Sequence, residues 1–341
     1  MKSTAFSTAI AMVCCALVSG VGADPVRSSE AKPRATADCR GENQLILLGT
    51  GGGPVLHTER AGPSSLLIVE GTPYLIDVGY GAVQRLKQAG LEPSDVGHVF
   101  LTHLHYDHTA DLGALLAFNW STGKRRPVDV IGPVGTRALV ADTVRQFHTA
   151  EALYTAVFPP VETLAELTRS QGMAAAAART LVYSDAHVRV FAVENSHYDG
   201  IPAARRDPNW KSYSLRFETK HGVIVFTGDT GPSASVTELA RGADVLVSEV
   251  LALDATIDML KQDNPRLTDA NLAPLVDHMK LEHLSPAAVG QLAQSAAVRE
   301  VVLNHIVPGS GGLSPDLYIS KVKMYFSRKV ILGKDMTTIC I

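Results

Sequence analysis

Two β-sheets packed together with helices outside them is the fold class the sequence predicts, an α/β or α+β arrangement. Three observations carry it. Short apolar runs bounded by Gly, Pro and Asp recur along the chain, helical patterns lie between them, and the runs fall into one group in each half. The first group predicts strands over 45–48, 65–69, 74–76, 98–101 and 128–131. The second predicts them over 188–193, 212–217, 223–226, 245–247, 301–303 and 330–332. Helices are expected over 82–88, 111–118, 136–147, 236–240, 286–296 and 315–326. Two of these have start signals with a mechanism: Ser235-Val236-Thr237-Glu238 reads as a capping box, and Ser285-Pro286 as an N-cap followed by proline at the first helical position. The stretch 157–180, with Pro159-Pro160 and a helical-looking segment over 174–178, fits either an insertion that shapes a pocket or a helix-turn connection. No internal repeat is present.

Composition bounds the remaining choices. The chain has 341 residues, 46% hydrophobic and 19% charged, which is ample for a buried core and excludes a disordered, collagen-like or disulfide-dense chain. Lys plus Arg number 31 against 34 for Asp plus Glu, a net charge of −3, so no overall basic field draws in a polyanion. Lys2, an apolar run over 9–18 and the small residues Val21-Gly22-Ala23 are the three parts of a secretory signal peptide in order. The run is too short for a membrane span. Cleavage after Ala23 is therefore expected, with a periplasmic or secreted product, a flexible leader over 24–43 and the folded domain over 44–341. Cys14 and Cys15 would be lost with the signal. Cys39 and Cys340 would remain, either as one disulfide tying the ends of the mature chain or as two unpaired thiols.

The most informative stretch is Thr102-His103-Leu104-His105-Tyr106-Asp107-His108, directly after an apolar strand. Alternate side chains of extended backbone share a face, so His103 and His105 point into one site while a turn brings Asp107 and His108 round to it. Imidazole nitrogens and carboxylate oxygens suit zinc and other borderline divalent ions, and so dense a cluster is costly to bury without a cation. More ligands are expected at distant strand ends. His197 follows one apolar run, Asp229 follows another behind Gly228, and His305 ends a third. Together these residues supply two three-ligand sets and a shared carboxylate.

HxHxDH with His197, Asp229 and His305 resembles the metallo-β-lactamase superfamily, over nearly all of the chain from Leu48-Gly49-Thr50-Gly51 to His305. The resemblance implies a four-layer αββα sandwich of two mixed sheets with the site at one edge. It also implies a ligand assignment: His103, His105 and His197 hold one metal, Asp107, His108 and His305 the other, and Asp229 bridges them. Two Zn²⁺ are the expected ions, with Mn²⁺ or Fe as alternatives. Asp77, at the end of Leu75-Ile76-Asp77, looks like the strand-end aspartate that supports such a site.

Other features are similar to the branch that holds the tRNA 3′-processing nuclease and secreted arylsulfatases. Leu48-Gly49-Thr50-Gly51-Gly52-Gly53-Pro54 looks like the branch's opening motif; no Gly-Lys-Ser/Thr follows, so it is not a phosphate-binding P-loop. In Val247-Ser248-Glu249 the nuclease's His-Glu pair becomes Ser-Glu. His283, just before a predicted helix, matches a His-Ser/Thr segment and reads as a general acid held by Glu249. Asp107 would orient the attacking water as well as serve the second ion. His57, His98, His148, His187, His221 and His278 lack such context. The negative net charge, the signal peptide and the arylsulfatase-like Ala61-Gly62-Pro63-Ser64-Ser65 lead to one expectation. It is a secreted dinuclear zinc hydrolase of a small ester, aryl sulfate- or phosphodiester-like, with no nucleic acid as partner. A lactonase, a carboxylesterase and an iron-dependent oxidoreductase are the alternatives, and dimerisation is a further expectation because relatives are often dimers.

Overall fold

The structure, a computed structural model, describes Cys39 and residues 43–122, 125–158, 162–174, 178–309 and 314–341. Strands β1 (Gln44–Gly49), β2 (Ser64–Val69), β3 (Thr72–Ile76), β4 (His98–Phe100), β5 (Val128–Gly132) and β6 (Thr168–Gly172) succeed one another across the first sheet. Strands β7 (Thr180–Ser184), β8 (Val188–Glu194), β9 (Tyr213–Thr219), β10 (Val223–Phe226), β11 (Val245–Leu251), β12 (Glu300–Val307) and β13 (Lys329–Leu332) build the second in the same sequential way. β14 (Thr338–Cys340) then returns to the first sheet beside β1. Both sheets are mixed: β1 to β3 and β7 to β10 are antiparallel, whereas β3 to β6 and β10 to β13 run parallel.

The period of two along each strand sorts side chains into layers. Leu45 and Leu47 meet Phe100, Phe217 and Phe226 between the sheets, while Ile46 and Leu48 face the helices outside the first sheet. Val225 and Leu246 do the same outside the second, where the helix Pro286–Ser295 packs. Because both faces are covered, the strands read as continuous apolar runs, as in β1, where all six residues are buried. Each large aliphatic or aromatic side chain so buried contributes roughly 1.5–3 kcal/mol. The layers are helix, sheet, sheet, helix, the αββα sandwich that the sequence resembles.

Every expected strand forms, and Ser285 caps its helix by accepting a hydrogen bond from Ala288 N at 3.2 Å. Several expectations are corrected. The cap of the helix Ala234–Leu239 is Ser233, whose side chain accepts from Val236 N; Ser235 instead donates to the Glu194 carbonyl. The stretch 157–180 contributes the edge strand β6, whose TRSQG sequence carries no apolar signal because one edge of it is unpaired and its residues are half-exposed. The helices Leu253–Asp263 and Asp269–Glu282 were not expected. Pro274 lies inside the second, and only a narrow apolar stripe of each is covered.

Cys39 and Cys340 form a disulfide, with Cα atoms 5.4 Å apart, next to the reciprocal backbone pair of Asn43 and Ile341. The expected signal peptide and most of the leader lie outside the described residues. Among the described residues no helix is long and apolar enough to cross a membrane.

Candidate metal centre

The seven expected ligands converge on one rim of the sandwich. His103 and His105 leave β4 in extended backbone, so their rings lie together with centroids 4.7 Å apart. The one-turn helix Tyr106–Thr109 then swings Asp107 and His108 back to the same place. His197 follows β8, and Asp229 follows β10 through Gly228, which has φ 58° and is backed so closely by Thr102 that a side chain would not fit. His305 sits at a register break in β12 with φ 40°, a strained conformation for a non-glycine residue. The ligand atoms of His103, His105 and His197 form one group within 4.8 Å of one another, and those of Asp107, His108 and His305 form a second. Asp229 stands between them. Its Oδ2 is 3.9 Å from His103 Nε2, 4.0 Å from His197 Nε2 and 3.0 Å from His305 Nε2, and its Oδ1 is 3.3 Å from His108 Nε2.

Most of the rings are fixed from behind. His103 Nδ1 lies 3.1 Å from Thr102 Oγ1, His108 Nδ1 2.9 Å from Asp77 Oδ2, and His197 Nδ1 3.1 Å from the Glu282 carbonyl. Each therefore presents Nε2 to the centre, and His105 presents Nδ1, 3.1 and 3.2 Å from Nε2 of His103 and His197. Partners of this kind set tautomer and orientation. Asp77, itself at φ 58°, also accepts from Thr102 N and Oγ1 at 2.8 and 2.9 Å. Sequence reasoning found Asp77 and missed Thr102 and Glu282. Thr102 had a signal, its place between the strand and His103; Glu282 acts through a backbone carbonyl, which no residue type announces.

The two ligand sets differ in how their surroundings act on the imidazoles. Burial pushes the His103, His105 and His197 imidazoles down, His197 to about 3. The same burial acts on His108 and His305, but Asp229 and Asp107 outweigh it, raising His108 well above its ordinary value and His305 to about 10. Even so, His108 Nε2, Asp229 Oδ1 and both ring nitrogens of His305 are buried without a hydrogen-bond partner. Buried polar atoms are ordinarily paired. Divalent cations between the two sets would satisfy those of these atoms that face the centre, His108 Nε2, Asp229 Oδ1 and His305 Nε2, and a donor set of imidazoles and carboxylates suits zinc, so the residues fit a metal centre.

Beside the centre, His283 Nδ1 lies 2.8 Å from Glu249 Oε2, and the other Glu249 oxygen accepts from Thr230 N. The His283 ring is 5.1 Å from that of His197 and stacks 6.0 Å from that of His305. Burial works against its protonated form, but the Glu249 carboxylate prevails and holds the imidazole above its ordinary range. Ser248 is buried with its hydroxyl turned to the Glu249 carbonyl, away from this chemistry. Of the histidines without an expected role, His57 hydrogen-bonds the Gly52 carbonyl at 2.8 Å and His278 lies 3.2 Å from the side chain of Glu282, the residue whose carbonyl holds His197.

A two-sheet sandwich carrying paired His and Asp ligand sets at one rim defines a metal-dependent hydrolase class. The pattern of the beta-lactamase superfamily domain matches residues 72–306, and the chain belongs to that family of hydrolases. It is 30% identical over 305 residues, 86% of this chain and 96% of the relative, to "Ribonuclease Z" of Mycolicibacterium paratuberculosis. Among solved structures, human tRNase Z, short form, superposes with a TM-score of 0.59 at 20% identity, covering 87% of this chain and 98% of that one. Zn²⁺-bound PqqB from Methylobacterium extorquens superposes with a TM-score of 0.56 at 15% identity, covering 87% and 100%. The ribonuclease relatives correct two expectations: the small ester as substrate, and the exclusion of nucleic acid as a partner. They leaned on whole-chain charge, a signal peptide and a five-residue likeness, whereas the similarity to ribonucleases runs through nearly the entire domain.

Proposed function

We propose that the protein is a metal-dependent phosphodiesterase that cleaves RNA, with His103, His105 and His197 holding one divalent ion, Asp107, His108 and His305 a second, and Asp229 shared. Zinc is the ion the donors suit best. The observation that carries the reading is the gathering of both ligand sets around Asp229, in a chain whose ribonuclease relative aligns over 96% of its own length. A pair of such ions, when bound, acidifies water and neutralises charge on phosphoryl oxygens. The protein's own groups do the rest. Asp107 orients the attacking water. Glu249 Oε2 holds His283 by Nδ1, which leaves Nε2 to hand its proton to the oxygen that departs as the P–O bond breaks. A negative net charge does not oppose this, because a phosphodiester is gripped by local contacts, not by the sum over the surface.

The test is to offer metal-replete protein a precursor tRNA with a 3′ trailer and, separately, bis-p-nitrophenyl phosphate. Internal cleavage of the RNA, lost in Asp229→Ala, is expected. Hydrolysis of the small diester with the RNA left intact would refute the RNA assignment, and inertness towards both would refute the phosphodiesterase.

A further inference from the structure

The glycine run over 51–53 follows β1 and has no phosphate-binding lysine after it, yet the fold carries it straight to the metal centre. Gly53 N donates to Asp107 Oδ2 at 3.1 Å, and Tyr106, the residue before that aspartate, donates its hydroxyl to the Pro54 carbonyl at 2.7 Å. The approach on the other ligand is as close. A Cβ on Gly52 would lie 2.6 Å from His305 Nδ1, and one on Gly53 would lie 2.2 Å from Asp107 Oδ2. Gly52 N donates to the Ile306 carbonyl at 3.1 Å, and Ile306 N to the Thr50 carbonyl at 2.9 Å, which stitches the loop to the residue after His305.

The far side of the loop is anchored as firmly. Asp335 accepts from Thr50 N and Oγ1 at 3.1 and 2.7 Å through one oxygen, and from Ala61 N at 2.7 Å through the other, while Arg85 pairs with it at 3.1 Å. Arg60 adds hydrogen bonds to Thr50 Oγ1 at 2.6 Å and the Gly333 carbonyl at 2.8 Å. Of the first ligand set, His103 and His197 are fixed from elsewhere, by Thr102 and the Glu282 carbonyl.

His108 of the second set is likewise held from elsewhere, by Asp77. From the contacts to its other two members we infer that the loop over 51–54 is the positioning element of Asp107 and His305: the Gly53 amide fixes which way the Asp107 carboxylate faces, and Gly52 leaves His305 its place. An N–H held on a carboxylate oxygen is a charge-assisted bond, and removing such an outer partner typically weakens a metal site 10- to 100-fold. The two glycines are there because any side chain would occupy the ligands' own volume. The inference rests on the metal reading proposed above, and its test separates the two.

Metal-free protein is titrated with Co²⁺, following the visible spectrum, and stoichiometry is read independently by elemental analysis after Zn²⁺ loading. Wild type is expected to take two ions. Gly53→Ala should keep one at unchanged affinity and bind the other about 100-fold more weakly. Tyr106→Phe, which alters an exposed residue and leaves the fold intact, should weaken the same ion about 10-fold. Gly97→Ala, where a Cβ meets nothing within 4 Å, should change neither. Two ions bound with wild-type affinity by both Gly53→Ala and Tyr106→Phe would overturn the inference, and so would equal weakening of both ions. If Gly53→Ala fails to fold, Tyr106→Phe decides by the same criterion. Wild type that binds no ion at all would refute the metal reading instead.

Discussion

β4 and β8 carry polar clusters at both of their ends, and the two clusters are built on opposite principles. At the starting ends, His98 opens β4 and Asp185 precedes β8. Tyr74 and Tyr183 donate their hydroxyls to Asp185 Oδ2 at 2.7 and 2.9 Å, and the backbone N–H groups of His187 and Val188 donate to Oδ1 at 2.8 and 2.9 Å. The Tyr74 ring stacks on His98 at 5.5 Å. Here the donors and acceptors complete one another. At the finishing ends the histidines and carboxylates lie deeper, His108, Asp229 and His305 all buried where Asp185 is exposed, yet these three keep buried atoms without partners. The closed cluster is a structural joint between the sheets; the open one has the donor set and the unmet bonding capacity of a site built for a guest.

Replacing the shared carboxylate breaks this contrast most severely. Asp229→Ala removes the carboxylate that stands between the two ligand sets, so metal-replete protein should retain at most one ion and lose about 10³-fold or more in phosphodiester turnover. Elemental analysis with a bis-p-nitrophenyl phosphate assay measures both. Two retained ions and a rate within tenfold of wild type would mean that the open cluster is not organised around Asp229.

His283→Ala sharpens the division within the open end. As an acid held by Glu249, His283 should contribute about 10²- to 10³-fold to kcat on an RNA substrate while metal content stays the same. The loss should shrink for a nitrophenyl ester, whose leaving oxygen needs no proton. The geometry also allows the opposite result, because His283 can join His197 and Asp229 as a ligand set. Loss of an ion in this variant would make His283 a ligand and not the acid.

How much of this was legible in the sequence follows from how each group acts. His103, His105, Asp107 and His108 announce themselves because a strand and one turn keep them adjacent in the chain. His197, Asp229 and His305 are visible as polar residues ending apolar strands. The helices Leu253–Asp263 and Asp269–Glu282 bring His283 to the site, yet they are mostly exposed and one contains Pro274, so neither periodicity nor propensity marks them. Glu282 and Gly53 act through backbone atoms, and His57 becomes part of the setting only because the loop over 51–54 folds beside it. Substrate was the least legible feature, because net charge sums the whole surface while recognition of a phosphodiester is decided over a few ångströms.

At the closed end the expected effects are on stability alone. Asp185→Asn removes the charge on which two tyrosines and two backbone amides converge; because Asp185 is exposed, this should cost only about 0.5–1.5 kcal/mol of folding stability in urea unfolding and leave metal content unchanged. A fall in bound metal would show that the two ends of β4 and β8 are coupled.

The smallest effect is expected at Glu70, in the β2–β3 turn at this same end, which accepts hydrogen bonds from Lys220 and His187. Those bonds, the one from Lys220 foremost, hold its pKa down at about 2 from an ordinary 4.5. A depressed carboxylate stabilises the fold above its unfolded pKa and loses that contribution as pH falls through the folded one. The advantage of wild type over Glu70→Gln should therefore be constant above about pH 5 and disappear between 4.5 and 2. Being exposed, the contact should also fade in high salt. A stability gap that ignores both pH and salt would place Glu70 among residues that matter for packing, and would leave the electrostatic part of the closed end to Asp185 and to Asp129, which lies 3.8 Å from His98.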